Sequence, residues 1–464
     1  PDIKPALDDA TSPQSKALAW VIEQREKTNV DHFTIAQVLP QYSLSALFFS
    51  TAGPSWHQSD GWLVDNKDVC TWYGILCVED KIVNVELPNN GLGGTLPPDL
   101  AILSDSLTKL DVSGNAISGV IPDTIGFLSS LTSLSLEFNQ FAENVPTTLG
   151  MLRKLEDLRI GSNDLSGSIP SEIGNVRQLK SLDCSDNRLM FPLPSEMGIL
   201  SSLEAIDASH NSLLGPLPFQ IGQMEQLTHL DISTNFVFDE IPSSIAQLTN
   251  LEFLDASGNI FTGTIPSEMY QLTKLLTLAL DHNFLVGEIS ALEQLSQLTV
   301  LDLSHNQLVG RISPFYGFSH LTELSLSQND LWGNIPASYE TLSALRVLEL
   351  GNNRLSGGIP MSIGSLSNLG ELMLGENDLV GRIPTQFGWL ISLSRLSLES
   401  NALTGELPTE IEQLASLELF DLSHTLVTGS FPASLCSADL DARVDCGHVE
   451  CNCCNCTESV DSLG

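Results

Sequence analysis

The sequence predicts an α/β repeat solenoid of about fifteen units, with a parallel β-sheet on its concave face, a helical amino-terminal cap and a disulfide-rich carboxy-terminal cap. Three observations lead there. Asparagines recur at 90, 115, 139, 163, 187, 211, 235, 259, 283, 306, 329, 353, 377 and 401, in steps of 24 residues except for one of 25 and two of 23. Each sits in the same apolar frame, LxxLxLxxNxLxGxIP, as in Leu155, Leu158, Ile160, Asn163, Leu165, Gly167, Ile169 and Pro170. Eight of the nine cysteines lie at the two ends of the chain.

Each element of the frame has a physical cause. The LxL triplet reads as a short strand whose leucines point inward while the residue between them faces out of the sheet. The asparagine turns inward after the strand, where its amide can bond backbone groups that the bend leaves unpaired, so stacked units form an amide ladder. Gly permits backbone geometry that other residues resist, and Pro stops a helix while removing a donor. The fifteenth unit carries Thr425 in the asparagine position. A chain of 464 residues exceeds the 250–300 or so at which single cores stop growing, but a repeat stack escapes that limit because each unit needs only its neighbours.

A stack exposes apolar core at both ends unless something covers it. Residues 13–27 read as an amphipathic helix with Ser12 as N-cap and Pro13 at the first helical position, and a second helix is expected from about Gln41 to Thr51, presenting Tyr42, Leu44, Leu47 and Phe48. Trp56, Trp62 and Trp72 then seal the first repeat, beside Cys70 and Cys77, which are close enough in sequence for one disulfide. At the other end Cys436, Cys446, Cys451, Cys453, Cys454 and Cys456 allow fifteen pairings. Disulfides are the expectation there; a zinc or copper cluster with His448 is the alternative. The one N-x-S/T sequon, at Asn455, would compete with them for space if glycosylated. Cys184 stands in a strand-leucine position and reads as a small buried hydrophobe. The expected divisions are 1–81 (extension and cap), 82–432 (repeats) and 433–464 (Cys-rich tail).

The half-repeat Leu355-Ser356-Gly357-Gly358-Ile359-Pro360 resembles plant-type leucine-rich repeats, those of receptor-like kinase and receptor-like protein ectodomains and of polygalacturonase-inhibiting proteins. Cys70-Thr71-Trp72-Tyr73-Gly74-Ile75-Leu76-Cys77 is similar to the CxWxGVxC cap of that group. The tail Cys451-Asn452-Cys453-Cys454-Asn455-Cys456 and the opening Ser12–Trp20 resemble the ends of diatom leucine-rich-repeat proteins. The resemblance, over residues 70–432, implies a right-handed superhelix and an extracellular recognition module, receptor-like ectodomain or secreted binder, for a protein, peptide or polysaccharide. It stops short of particular receptor mechanisms: no non-repeat island interrupts the array, no kinase signature is present, and no RxR pair stands on the inner face.

Charge narrows the partners. The sequence has 20 Lys+Arg against 57 Asp+Glu, a net charge of −37, which argues against nucleic acid and anionic membranes and suits cationic ligands or plain solubility. The longest apolar run, 44–52, is far below the roughly 18 residues of a membrane span, so any anchor would lie outside these residues. The start at Pro1 without an apolar leader reads as a processed form.

Two surfaces are candidate binding sites. Between the strand leucines nine of fifteen residues are acidic, and Asp183, Asp207, Asp231 and Asp255 are consecutive, with Asp302 further on. Strands about 4.8 Å apart stack such carboxylates into a column whose repulsion, roughly 1 kcal/mol per neighbour in water, a cation would relieve. The competing reading is structural, with a following Ser or backbone amide satisfying each Asp. Phe138, Phe253 and His229 share that face and suit a basic peptide or a sugar. The second surface is a flank after the asparagines, where Met190, Leu214, Phe236, Phe238, Ile260, Phe284, Val286, Val309 and Trp332 replace small polar residues. It reads either as an interface or as packing into the irregularity of the 23-residue repeats, in which Ser290 and Ser313 replace the expected Pro. His282 and His305, equivalent residues of adjacent repeats beside Asp281, offer a metal pair or pH-sensitive contact, though exposed His at this repeat position is commonplace.

No nucleophile elbow, zinc-protease helix or phosphate-cradling loop is present, and an open acid column lacks the closed cleft that paired-carboxylate chemistry needs. The sequence therefore reads as a non-enzyme requiring no cofactor or metal, with inhibition of an extracellular wall hydrolase or an adhesive matrix role as alternatives.

Overall fold

The computed structural model describes residues 7–28, 35–437 and 440–457, so the outer parts of the expected end segments, 1–6 and 458–464, lie outside it. It divides into two compact units, Pro1–Val237 and Phe238–Gly464.

The amino-terminal unit opens with α1 (Pro13–Thr28) and α2 (Ile35–Ser50). Ser12 caps α1 as expected, its Oγ accepting the Ser15 N–H at 3.0 Å. α2 begins at Ile35, earlier than Gln41, because Pro40 is accommodated within it; so near the helix start, proline removes a single backbone bond. Ala17 and Val21 of α1 bury against Tyr42 and Ala46 of α2. The tyrosine hydroxyl donates to Asp99 Oδ1 at 3.0 Å and Gln14 Nε2 donates to Oδ2 at 2.9 Å, so the first turn of the repeat stack is tied to both helices. Trp56, Trp62 and Trp72 bury as expected, with successive ring centroids 4.8 Å apart, and Cys70 pairs with Cys77.

From there the repeats stack. Strand triplets such as Ser133–Ser135, Asp157–Arg159, Ser181–Asp183 and Ala205–Asp207 pair in parallel with their central leucines or isoleucines in register: Leu134 on Leu158, Leu182 on Ile206. These central residues are fully buried, as alternation requires. A second parallel sheet runs over Gly93–Thr95, Ala116–Gly119, Gln140–Asn144, Asp164–Gly167 and Arg188–Leu189. Gly167 has φ +74°, and a Cβ there would collide with Asn144 Oδ1 of the preceding repeat, which explains the glycine of the frame. After each Ile-Pro a short 3-10 turn follows, such as Thr147–Met151 or Ser171–Asn175.

The asparagine ladder forms as expected. Asn163 Nδ2 donates to Leu136 O of the previous repeat at 3.1 Å and to Ile160 O of its own at 3.2 Å, while its Oδ1 accepts from Phe141 N at 2.9 Å. The same set recurs at Asn187 and Asn211 in this unit and at Asn306, Asn329 and Asn377 in the other. Cys184 is fully buried, and burial raises its thiol pKa far above the usual range, so it is inert packing.

The carboxy-terminal unit repeats this plan through strands from Phe253–Asp255 to Leu419–Asp421, then Asp441–Asp445 and Asn455–Thr457. Its two short repeats are deformed where the prolines are missing. The turn at Ser290–Leu292 is only three residues long, and after Ser313 the space is filled by Phe315, Phe318 and Tyr339, with Tyr339 Oη donating to Ser313 O at 3.2 Å. At the end Cys436 pairs with Cys453, Cys446 with Cys456 and Cys451 with Cys454, one of the fifteen arrangements left open by sequence. The ladder ends on Asp445, a residue the repeat pattern does not flag: it is buried and its Oδ2 accepts from Thr425 N at 3.2 Å.

Candidate functional site

The strand face carries the acid column. In the amino-terminal unit Asp183, Asp207 and Asp231 are register neighbours on adjacent strands. Each carboxylate is held from its own repeat: Asp183 Oδ1 accepts from Ser185 Oγ at 2.7 Å, Asp207 from Ser209 at 2.6 Å and Asp231 from Ser233 at 2.7 Å, with the serine N–H bonding the same oxygen. In the other unit Asp255 and Asp302 accept from Ser257 N and Ser304 N, both at 2.9 Å. The expected structural role of the aspartates is therefore met at Oδ1, which fixes each side chain. Arg159 breaks the column and bonds Asp157 at 3.2 Å, while burial raises the carboxyl of nearby Glu137. Phe138 lies just before the ladder asparagine with φ 54° and is 62% exposed. His229 and Phe253 start strands and are half-buried.

Exposed apolar side chains do line the flank: Met190, Leu214 and Phe236 in the amino-terminal unit, and Ile260, Phe284, Val286, Val309 and Trp332 in the carboxy-terminal one. Phe284 is 50% and Trp332 47% exposed, and Phe238 is half-buried. The residues that pack into the irregular repeats are instead Phe315, Phe318 and Tyr339. Arg311 lies over the Trp332 ring at 5.1 Å, giving the strip one cation–π contact.

A further feature of the carboxy-terminal unit escaped the sequence reading. On the strand face a cavity of about 450 Å³ is lined by Met373, Arg395, Ser397, Glu399, Asp421 and Arg443 among others. Register places Ser397 beside Asp421 and Asp421 beside Arg443. Arg395 bonds Glu371 at 3.1 Å, and Arg443 bonds Asp441 at 2.6 Å and lies 3.6 Å from Asp421. Burial, with Asp421 and Glu376 adding, raises the Glu399 carboxyl pKa, and Ser397 Oγ donates to it. The signal was present in the two arginines interrupting an acidic face, but the depression between them comes from the fold.

Comparison with known proteins accords with this geometry. The Leucine Rich Repeat family matches at 106–128, 154–176, 250–272, 344–366 and 392–414, and its two-copy form at 296–339. A leucine-rich-repeat protein of Leptospira interrogans has a solved structure 31% identical to this chain, covering 80% of this chain and 91% of that one at TM-score 0.63. This chain is a leucine-rich-repeat protein. The repeat protein is also similar to the Arabidopsis receptor kinase HAESA, solved in complex with the peptide hormone IDA and a co-receptor, at 29% identity, 87% of this chain, 72% of that chain and TM-score 0.74. Protein MALE DISCOVERER 1 of Arabidopsis thaliana is 43% identical over 63 residues, 13% of this chain and 9% of that relative, so the match spans a small part of the relative's length.

Proposed function

We propose that this chain is a non-enzymatic extracellular recognition module that binds a peptide or protein partner presenting cationic groups. The cavity on the strand face carries this reading, because it sets Glu399 and Asp421 beside the apolar side chains of Met373 and Leu419, with Asp421 held by Ser423 of its own repeat. Such a surface suits a Lys or Arg side chain, whose stem packs on apolar atoms while its head meets carboxylate. The likeness to a receptor kinase solved with a peptide hormone supports a peptide partner, and the apolar flank with Phe284 and Trp332 suits a second protein. Disulfide-stapled ends support an oxidising compartment. Among the described residues no helix is long and apolar enough to cross a membrane.

The test is a titration of the full chain with a library of short peptides differing in Lys and Arg content, at low and high salt. Binding that strengthens with basic residues, weakens with salt and falls in Glu399→Gln supports the reading. Equal binding of acidic and basic peptides would overturn it.

A further inference from the structure

We propose that His282 and His305 form a chelating site for one divalent ion that favours imidazole nitrogen, such as Zn2+ or Cu2+. The two residues occupy the position just before the ladder asparagine in consecutive repeats of the carboxy-terminal unit. Both backbones are left-handed, at φ 51° and 53°, and their N–H groups bond Ser304 O and Ser327 O at 3.0 Å, so the two Cα positions are fixed. The rings stack with centroids 4.0 Å apart and planes 19° from parallel.

That spacing matters because two metal–imidazole bonds of about 2.0–2.1 Å hold their nitrogens no more than about 4 Å apart, and since each lone pair lies in its ring plane, the stacked rings turn toward each other to share one ion. Asp281 Oδ2 lies 2.8 Å from His282 Nδ1, and its side chain is 19% exposed. Such a bond holds Nδ1 as the protonated nitrogen and leaves the Nε2 lone pair outward, the carboxylate–imidazole arrangement that orients metal-bound histidines and raises their basicity. Among the described residues the exposed His305 ring makes no hydrogen bond, so its nitrogens are available. Asp302 adds negative charge near Asp281, and Glu349 and Glu376 line the same cavity as His305. Two protein nitrogens leave the remaining coordination positions to water, giving an open and exchangeable site. The cysteine cluster Cys451, Cys453 and Cys454 is a weaker candidate because all three sulfurs are already in disulfides and supply no thiolate.

The test uses the full, disulfide-intact chain near neutral pH, titrated calorimetrically with Zn2+ and examined with Cu2+ by electron paramagnetic resonance. One ion per chain and a copper spectrum split by two nitrogens are expected. His282→Asn and His305→Asn should each weaken Zn2+ binding by about tenfold or more, Asp281→Asn by about tenfold, and His424→Asn should leave it unchanged. Asn tolerates left-handed backbone, so the variants are expected to unfold at the wild-type temperature. Zn2+ binding as tight in both histidine variants as in the unsubstituted chain, or a copper spectrum without nitrogen splitting in the unsubstituted chain, would overturn the proposal.

Discussion

Asn211 Nδ2 donates to the carbonyl oxygen of Cys184 at 3.0 Å, across one full turn of the repeat. The same nitrogen serves Ala208 O and Ser209 O, and Oδ1 takes Leu189 N at 2.9 Å, so one side chain satisfies four backbone groups in two turns. Leaving a buried backbone group unpaired costs about 1–3 kcal/mol. Asn211→Ala should therefore lose roughly 3 kcal/mol or more in urea unfolding, whereas the exposed Asn175→Ala should stay within about 0.5 kcal/mol. Equal effects would show that the ladder is incidental.

The aspartate column separates charge from structure. Asn keeps an Oδ1 that can accept from Ser209 and Ser233, so Asp207→Asn with Asp231→Asn and Asp255→Asn should preserve the melting temperature while weakening a cationic partner and flattening its salt dependence. The corresponding alanine changes remove the acceptor and should cost about 1 kcal/mol each. Unchanged affinity in the asparagine triple variant would retire the column as a binding surface.

Flank and filler are distinguishable by stability. Phe284→Ser and Trp332→Ser remove half-exposed rings and should raise solubility with a stability change within about 0.5 kcal/mol. Phe315→Ala empties a fully buried site and should cost about 3–5 kcal/mol by chemical denaturation. A drop of several degrees in the melting temperature of the Phe284 and Trp332 variants would show them to be packed.

Glu399 predicts a pH dependence. Burial favours its neutral form, so the folded state holds this proton more tightly than the unfolded chain, and the charged carboxylate opposes folding above a glutamate's usual 4.5. Glu399→Gln should melt higher than the parent at pH 7, with the difference shrinking as pH falls toward 4.5. A difference that grows on acidification would contradict the assigned burial.

The repeat period, the inward leucines, the amide ladder, the Ser12 cap and the buried Cys184 were legible in the sequence because each depends on residues a fixed, short distance apart. The paired histidines were legible as equivalent positions, and their ring spacing was not. Helix α2 starts at Ile35, ahead of the expected Gln41, and carries Pro40 inside it. Tertiary structure alone decided the cysteine pairing, which depends on which sulfurs are brought together in space. It likewise chose Phe315, Phe318 and Tyr339 over the flank as filler for the short repeats, and made Asp445 the last rung. The open cavity beside Glu399 belongs with these, since it forms where side chains from several strands converge, and no single repeat encodes that convergence.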